Sequence, residues 1–177
     1  CIIGGSKIST KIKIISNLIK IFDNIIIVGG MGNAMLKNTG INIGKSVCDD
    51  GYKDLVGEIL EKSKTHNCQI YYPLDVVASK ELNGNGTIKE INKIDNDDMI
   101  LDIGPKTIAS IKNIVNNSNT VLWNGPAGYF ENPNFANGTK QILEIIANKR
   151  SKDKIYAVAG GGETVAVINK FNKLDSF

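Results

Sequence analysis

Aromatic side chains are scarce in this chain of 177 residues, at 6%, and isoleucine carries much of the apolar content. His66 is the only histidine and lies in a Lys-Thr-His-Asn stretch that reads as an exposed helix end. Neither a Ser-His-Asp triad nor a histidine-rich metal centre is expected from it. The three cysteines, Cys1, Cys48 and Cys68, fit no C-x-x-C spacing, and their odd number suits reduced thiols better than a disulfide framework. No apolar run approaches the length of a membrane-crossing helix and no stretch reads as a signal peptide, so a cytoplasmic protein is expected. Net charge is only +3 with the basic residues scattered, which argues against nucleic acid or a membrane surface as partner. Neither internal repeats nor low-complexity blocks interrupt the chain.

What the sequence does hold is a set of glycine clusters, each closing an apolar run. Gly4-Gly5 follows Ile2-Ile3, Gly29-Gly30 follows Ile25 to Val28, Asn124-Gly125-Pro126 follows Val121 to Trp123, and Gly160-Gly161-Gly162 follows Ile155 to Ala159. Helix-like spacing comes after each. A strand, a glycine turn and a helix, repeated, is the pattern of a parallel sheet with binding loops at its carboxyl edge. Asn24 to Val28 is apolar enough to be buried on both faces. Helices are expected from Ser9 with Ser9 or Thr10 as cap, around Asn33 to Lys37, over Tyr52 to Lys64, from Pro105 to about Asn116, near Gly138 to Asn148, and from Glu163 to Phe171. Further extended segments are Cys68 to Tyr72, Asp75 to Ala78, Thr87 to Ile91, Ile100 to Ile103, Thr120 to Trp123 and Lys154 to Ala159, with Asn83-Gly84-Asn85-Gly86 as a turn. The expected fold is α/β: a Rossmann-like three-layer αβα domain with a mostly parallel six-stranded sheet. The chain opens on Cys1 inside a strand and stops at Phe177 just after a helix, so it is expected to be incomplete at both ends of a longer parent.

Lys7 and Lys11 after the first turn, and Glu163 and Thr164 after the last, suit a phosphate tail. Two familiar nucleotide motifs nevertheless fail. Gly40-Ile-Asn-Ile-Gly44-Lys45-Ser46 has three residues between its glycines where a P-loop needs four, and no apolar strand precedes it. Gly30-Met31-Gly32-Asn33-Ala34-Met35 begins like a dinucleotide fingerprint, but Met35 stands where close helix–strand packing wants glycine or alanine.

Gly4-Gly5-Ser6-Lys7-Ile8-Ser9-Thr10-Lys11-Ile12 resembles the G-G-[AS]-K-[VI]-x-x-K-I segment of phosphoglycerate kinases. Leu101-Asp102-Ile103-Gly104-Pro105 is similar to their L-D-I-G-P motif, and Gly160-Gly161-Gly162-Glu163-Thr164 to their G-G-G-D-[ST]. Trp123-Asn124-Gly125-Pro126-Ala127-Gly128-Tyr129-Phe130-Glu131 resembles the specific W-N-G-P-x-G-x-F-E. Gly44-Lys45-Ser46 and Pro73-Leu74-Asp75-Val76-Val77 have counterparts in the same order, so the likeness covers essentially residues 1–177. It implies the C-terminal, nucleotide-binding domain of such an enzyme.

The resemblance implies roles. Lys7 contacts the nucleotide phosphates and, with Gly161 and Gly162, stabilises the phosphoryl group in flight. Lys11 neutralises the α-phosphate side. The turn before Thr164 offers backbone amides and a helix dipole to phosphate, with the Thr164 hydroxyl adding a bond. Glu131 accepts from the ribose hydroxyls. Asn124 and Pro126 belong to the same nucleotide set, while Gly29, Gly30, Ile100 and Leu101 surround the adenine, and Trp123 belongs to the core. The implied partners are ADP or ATP with Mg²⁺, and 3-phosphoglycerate or 1,3-bisphosphoglycerate held by an N-terminal domain outside this chain, in a monomeric parent. Two departures stand out. Glu163 replaces the family's usual Asp as the Mg²⁺ ligand, one methylene longer, and Ile100 replaces a usual Gly beside the adenine. The alternatives are a nucleotide-binding module or split-gene remnant without turnover, and an unrelated α/β oxidoreductase, which binding of NADH in place of ADP would reveal.

Overall fold

The computed structural model describes residues 1–153 and 155–177. Lys154, the first residue of the last expected strand, lies outside the described residues. Five strands form a wholly parallel sheet: β1 (Ile2–Ile3), β2 (Asn24–Ile27), β3 (Gln69–Tyr71), β7 (Thr120–Asn124) and β8 (Tyr156–Gly160). Their spatial order is β3-β2-β1-β7-β8. The central strand β1 is only two residues long, with Ile2 opposite both Ile26 and Trp123.

Alternation along these strands builds the three layers. Ile2, Ile26, Val121 and Trp123 turn to one face, where α4 (Pro105–Asn116), α5 (Asn137–Lys152) and α6 (Gly162–Lys170) cover them with Ile111, Val115, Ile142, Ile146 and Val167. Ile3, Ile25 and Ile27 turn to the other, against Ile15, Met31, Met35, Val56 and Ile59 from α1 (Ile12–Leu18), α2 (Gly30–Asn38) and α3 (Tyr52–Thr65). Each such isoleucine, removed from water, contributes on the order of 2 kcal/mol. Trp123 is 0% exposed and its Nε1 donates to Gly125 O at 2.9 Å, so it is core, as the sequence leads one to expect.

The α/β class and its layers agree with the sequence, but the sheet has five strands and not six. The segment after Pro73 leaves it and forms a separate antiparallel sheet, β5-β4-β6, from β4 (Asp75–Ser79), β5 (Thr87–Glu90) and β6 (Met99–Ile103). Within it, the connection from β4 to β5 is too short for the crossover of a dozen residues or more that a parallel pair needs, so these two strands pair antiparallel. Two helix starts differ as well. The first helix begins at Ile12 without a side-chain cap, because Ser9 Oγ donates to Asp49 Oδ1 (2.6 Å) and Thr10 Oγ1 to Lys7 O (2.8 Å). The second begins at Gly30, three residues before the expected start; the poor helix propensity of its opening glycines hides that start from the sequence. His66 is an exposed C-cap, as expected. No helix among the described residues is long and apolar enough to cross a membrane.

Two buried carboxylates from the small sheet cap helices of the large domain. Asp75, 2% exposed, accepts from Lys106 N (2.9 Å), Thr107 N (2.8 Å) and Thr107 Oγ1 (2.8 Å) at the start of α4. A Cβ on Gly104 would collide with this carboxylate, so glycine is required there. Asp102, also 2% exposed, accepts from Gly138 N (2.7 Å) at the start of α5 and from Ile103 N (2.9 Å). Burial dominates its titration and raises its pKa from 3.8 to about 7, although the two amides pull the other way. The folded chain therefore keeps a proton on Asp102 where the unfolded chain has released it. The resulting stabilisation is full below about pH 4 and is lost as pH rises to about 7. Asp102→Asn removes this dependence. Urea midpoints at several pH values should show wild type losing ground to the variant over that window, by on the order of 4 kcal/mol. Parallel profiles would mean that Asp102 ionises freely in the fold.

Candidate active site at the carboxyl edge of the sheet

The chain runs outward from β1 to β2 and β3, then returns to lay β7 on the opposite side of β1. Successive connections thus leave for opposite faces at the β1/β7 junction, where a crevice opens beyond the strand ends. The turns after β1 and β7 meet there. A Cβ on Gly4 would strike the carbonyl of Pro126, so the close approach of the two turns needs glycine at that position.

A cavity of about 250 Å³ occupies this crevice. Of the residues expected at a nucleotide site, Gly29, Gly30, Ile100, Leu101, Pro126, Glu131 and Glu163 line it. Their sources are four different segments: the α2 start, β6, the loop after β7 and the α6 start. Tyr129 N donates to Leu101 O at 2.7 Å, which fixes the loop carrying Glu131 against the small sheet. Glu131 is exposed and Leu101 is buried, so the cavity has an apolar slot and an acidic lip. Ile100 takes its place in the slot wall, half-buried, with its backbone amide donating to Ser46 Oγ at 2.8 Å.

The remaining expected residues form a polar rim beside the cavity. Lys11 Nζ donates to Gly4 O (2.8 Å), Asn124 Oδ1 (2.6 Å) and Asn124 O (3.4 Å). Burial lowers the pKa of this lysine, opposed by the negative charge of Glu163 nearby. Asn124 in turn adjoins the glycine turn, where Gly161 has φ +90°, a conformation suited to glycine. The helix that follows starts at Gly162 and its first bond is Val165 N to Gly161 O, so the amides of Gly162, Glu163 and Thr164 have no partner within the helix. These amides sit at the positive end of the helix dipole. Lys7 is exposed in the turn after β1, next in sequence to the lining residues Gly5 and Ser6, and its ammonium has no hydrogen bond or ion pair among the described residues.

Thr164 differs from expectation. It is 0% exposed and its hydroxyl accepts from Gly125 N at 2.7 Å, so it locks the two glycine turns together from inside the fold. Glu163 fits a Mg²⁺ ion carried on phosphates, which needs one or two protein carboxylates with waters completing the shell. It is exposed at the cavity edge without a hydrogen bond or ion pair among the described residues. Another acidic cluster, Asp95, Asp97 and Asp98, lies elsewhere and forms ion pairs with Lys89 and Lys80.

Among the contributors to the cavity that sequence reasoning missed are Asn33, Val47, Leu82 and Asp102. Asp102 was visible within L-D-I-G-P, but its helix-capping partner Gly138 is 36 residues away. Asn33 lay inside the rejected dinucleotide pattern, and nothing local marks it as buried.

The family model described as phosphoglycerate kinase matches residues 1–177. The phosphoglycerate kinase of Francisella philomiragia is 43% identical over 179 residues, covering 98% of this chain and 44% of its own length. That of Xanthobacter autotrophicus is 38% identical over 170 residues, covering 95% of this chain and 43% of its own. The solved phosphoglycerate kinase of Coxiella burnetii superposes with a TM-score of 0.93 at 36% identity, over 99% of this chain and 45% of that one. The Pyrococcus horikoshii enzyme shares the fold at a TM-score of 0.75 and 23% identity. The chain thus spans less than half the length of the relatives it matches, and it belongs to the phosphoglycerate kinase family.

Proposed function

We propose that this chain supplies the nucleotide-binding half of a phosphoglycerate kinase, which moves a phosphoryl group reversibly between 1,3-bisphosphoglycerate and Mg-ADP. The observation that carries this is the joining of an apolar slot, an acidic lip and a cationic amide-rich rim in one crevice at the β1/β7 junction. The slot takes the adenine between Gly29, Gly30 and Leu101. Glu131 accepts from the ribose hydroxyls, and the phosphates run past Asn124 and Lys11 to the start of α6. The acyl phosphate comes from a domain outside this chain, in a monomeric cytoplasmic parent.

In the ATP-forming direction, a β-phosphate oxygen of ADP attacks the phosphorus of the acyl phosphate. The bond from phosphorus to the acyl oxygen breaks, and its electron pair stays on the carboxylate of 3-phosphoglycerate. No proton needs to move, so the protein's task is positioning and charge compensation. The Lys7 ammonium, exposed and unpaired among the described residues, follows the transferring oxygens. The amides of Gly162 and Glu163 receive phosphate oxygens along the helix axis, beside the Gly161 turn. Glu163 would hold a Mg²⁺ ion carried on the phosphates, which would supply further positive charge there.

Lys7→Ala in the complete enzyme should lower kcat by roughly 10²-fold or more with a much smaller change in ADP affinity, because the charge matters most in the transition state. Unchanged turnover would remove Lys7 from catalysis. Glu163→Gln should weaken binding of Mg-ADP in calorimetry and leave metal-free ADP nearly unaffected. Equal losses under both conditions would assign Glu163 to the fold. Glu163→Asp should be tolerated.

The chain alone should bind Mg-ADP weakly and form no ATP from 1,3-bisphosphoglycerate, since closure by a second domain completes the site and excludes water. Robust turnover by these 177 residues would sink the two-domain reading. A folded sample that binds NADH and not ADP would sink the nucleotide assignment. The rival reading, a nucleotide-binding module without turnover, rests on the chain spanning 44% of a relative's length. Activity on joining it to a complementary N-terminal domain would dispose of that rival.

A further inference from the structure

One polar residue of the cavity has no part in the chemistry above. Asn33 lies in the first turns of α2, is 2% exposed, and contributes to the cavity wall with Gly30, Val47, Ile100 and Leu101. Its Nδ2 donates to Val47 O at 3.0 Å. A carbonyl accepts only from an N–H group, so this bond fixes which end of the amide faces Val47. The other end, Oδ1, is closed off from solvent and has no hydrogen-bond partner, the one buried side-chain nitrogen or oxygen so left among the described residues. Native folds rarely leave such an acceptor unpaired, and the surrounding cavity wall is largely apolar. Val47 and Leu82, which adjoin the cavity, are 55% and 50% exposed, so they are free to shift as a flat ring enters.

Resting on the nucleotide reading above, we propose that Asn33 Oδ1 accepts a hydrogen bond from the exocyclic amine of a 6-aminopurine, so that Asn33 selects adenine over 6-oxopurine bases. The argument is one of donor and acceptor. Adenine brings an N–H donor on C6 to a fixed acceptor. Hypoxanthine or guanine brings a carbonyl oxygen there, and two acceptors face each other without a proton between them. The amide cannot rotate to help, because turning it would break the bond to Val47 O and set oxygen against oxygen there.

The test measures binding of Mg-ADP, Mg-IDP and the diphosphate of purine riboside, which lacks any group on C6. Calorimetry would use the wild-type chain and Asn33→Leu, a variant of similar volume without the acceptor, with thermal unfolding to confirm that each is folded. Wild type should bind ADP roughly 10-fold or more tightly than either analogue. In the variant, ADP should weaken by about the same factor with IDP little changed, bringing the three affinities together. Equal binding of all three nucleotides by wild type would overturn the role of Asn33, even if the variant does not fold. An undiminished ADP preference in folded Asn33→Leu would overturn it too. Failure of folded wild type to bind any of the three would bring down the nucleotide reading and this proposal with it.

Discussion

The ammonium of Lys11 closes the junction on which the rest of the site depends. Gly4 O and the backbone and side-chain oxygens of Asn124 converge at the ends of β1 and β7, where the connections diverge to opposite faces. Acceptors gathered at a strand junction need donors, and lysine brings three on one atom. The same cation lies beside Asn124, which touches the Gly161 turn, so the strut between strands is also the positive wall of the proposed phosphate path. Its partial desolvation disfavours the charged state, and the carboxylate of Glu163 restores part of what burial removes. Structure and proposed chemistry therefore draw on one charge.

The small antiparallel sheet gains meaning from this arrangement. Its strand β6 delivers Leu101 to the slot and Asp102 to the amide of Gly138, while β4 delivers Asp75 to the start of α4. The first amides of α4 and α5, which pack on the large sheet, thus donate to carboxylates of the small one. A shift of that sheet would disturb the slot wall and two helix starts together, which ties the geometry of the base-binding region to the packing of α4 and α5.

Much of this was legible because strand, glycine and helix follow one another with little interruption. Pro105 marked the start of α4, and the bulk of Trp123 at the end of an apolar run marked it as core. Seven of the thirteen expected site residues line one crevice because glycine clusters mark the strand ends, and strand ends in a parallel sheet share an edge. The failures have a common cause in long-range partnership. Pro73 hides whether the next strand continues the sheet or starts another. Ser9 and Thr10 have cap chemistry, yet Asp49, 40 residues on from Ser9, claims the first hydroxyl. Asn33 reads as an ordinary helical polar residue until Val47 O and the cavity are placed around it.

Ile2 pairs with Trp123 across 121 positions of sequence, and with Ile26 across only 24. The central strand thus has one near and one distant partner, and one side of its ladder waits for a segment made much later. At typical synthesis rates of about 5–20 residues per second, the β1–β2 pair has to wait several seconds for β7 to emerge. During that interval Ile2 and Ile26 have no Trp123 to cover them, and Gly4 N lacks the Asn124 carbonyl it later binds at 2.9 Å. The β1–β7 side of the ladder therefore closes only when the later half of the chain is available, a long-range pairing of the kind that slows folding.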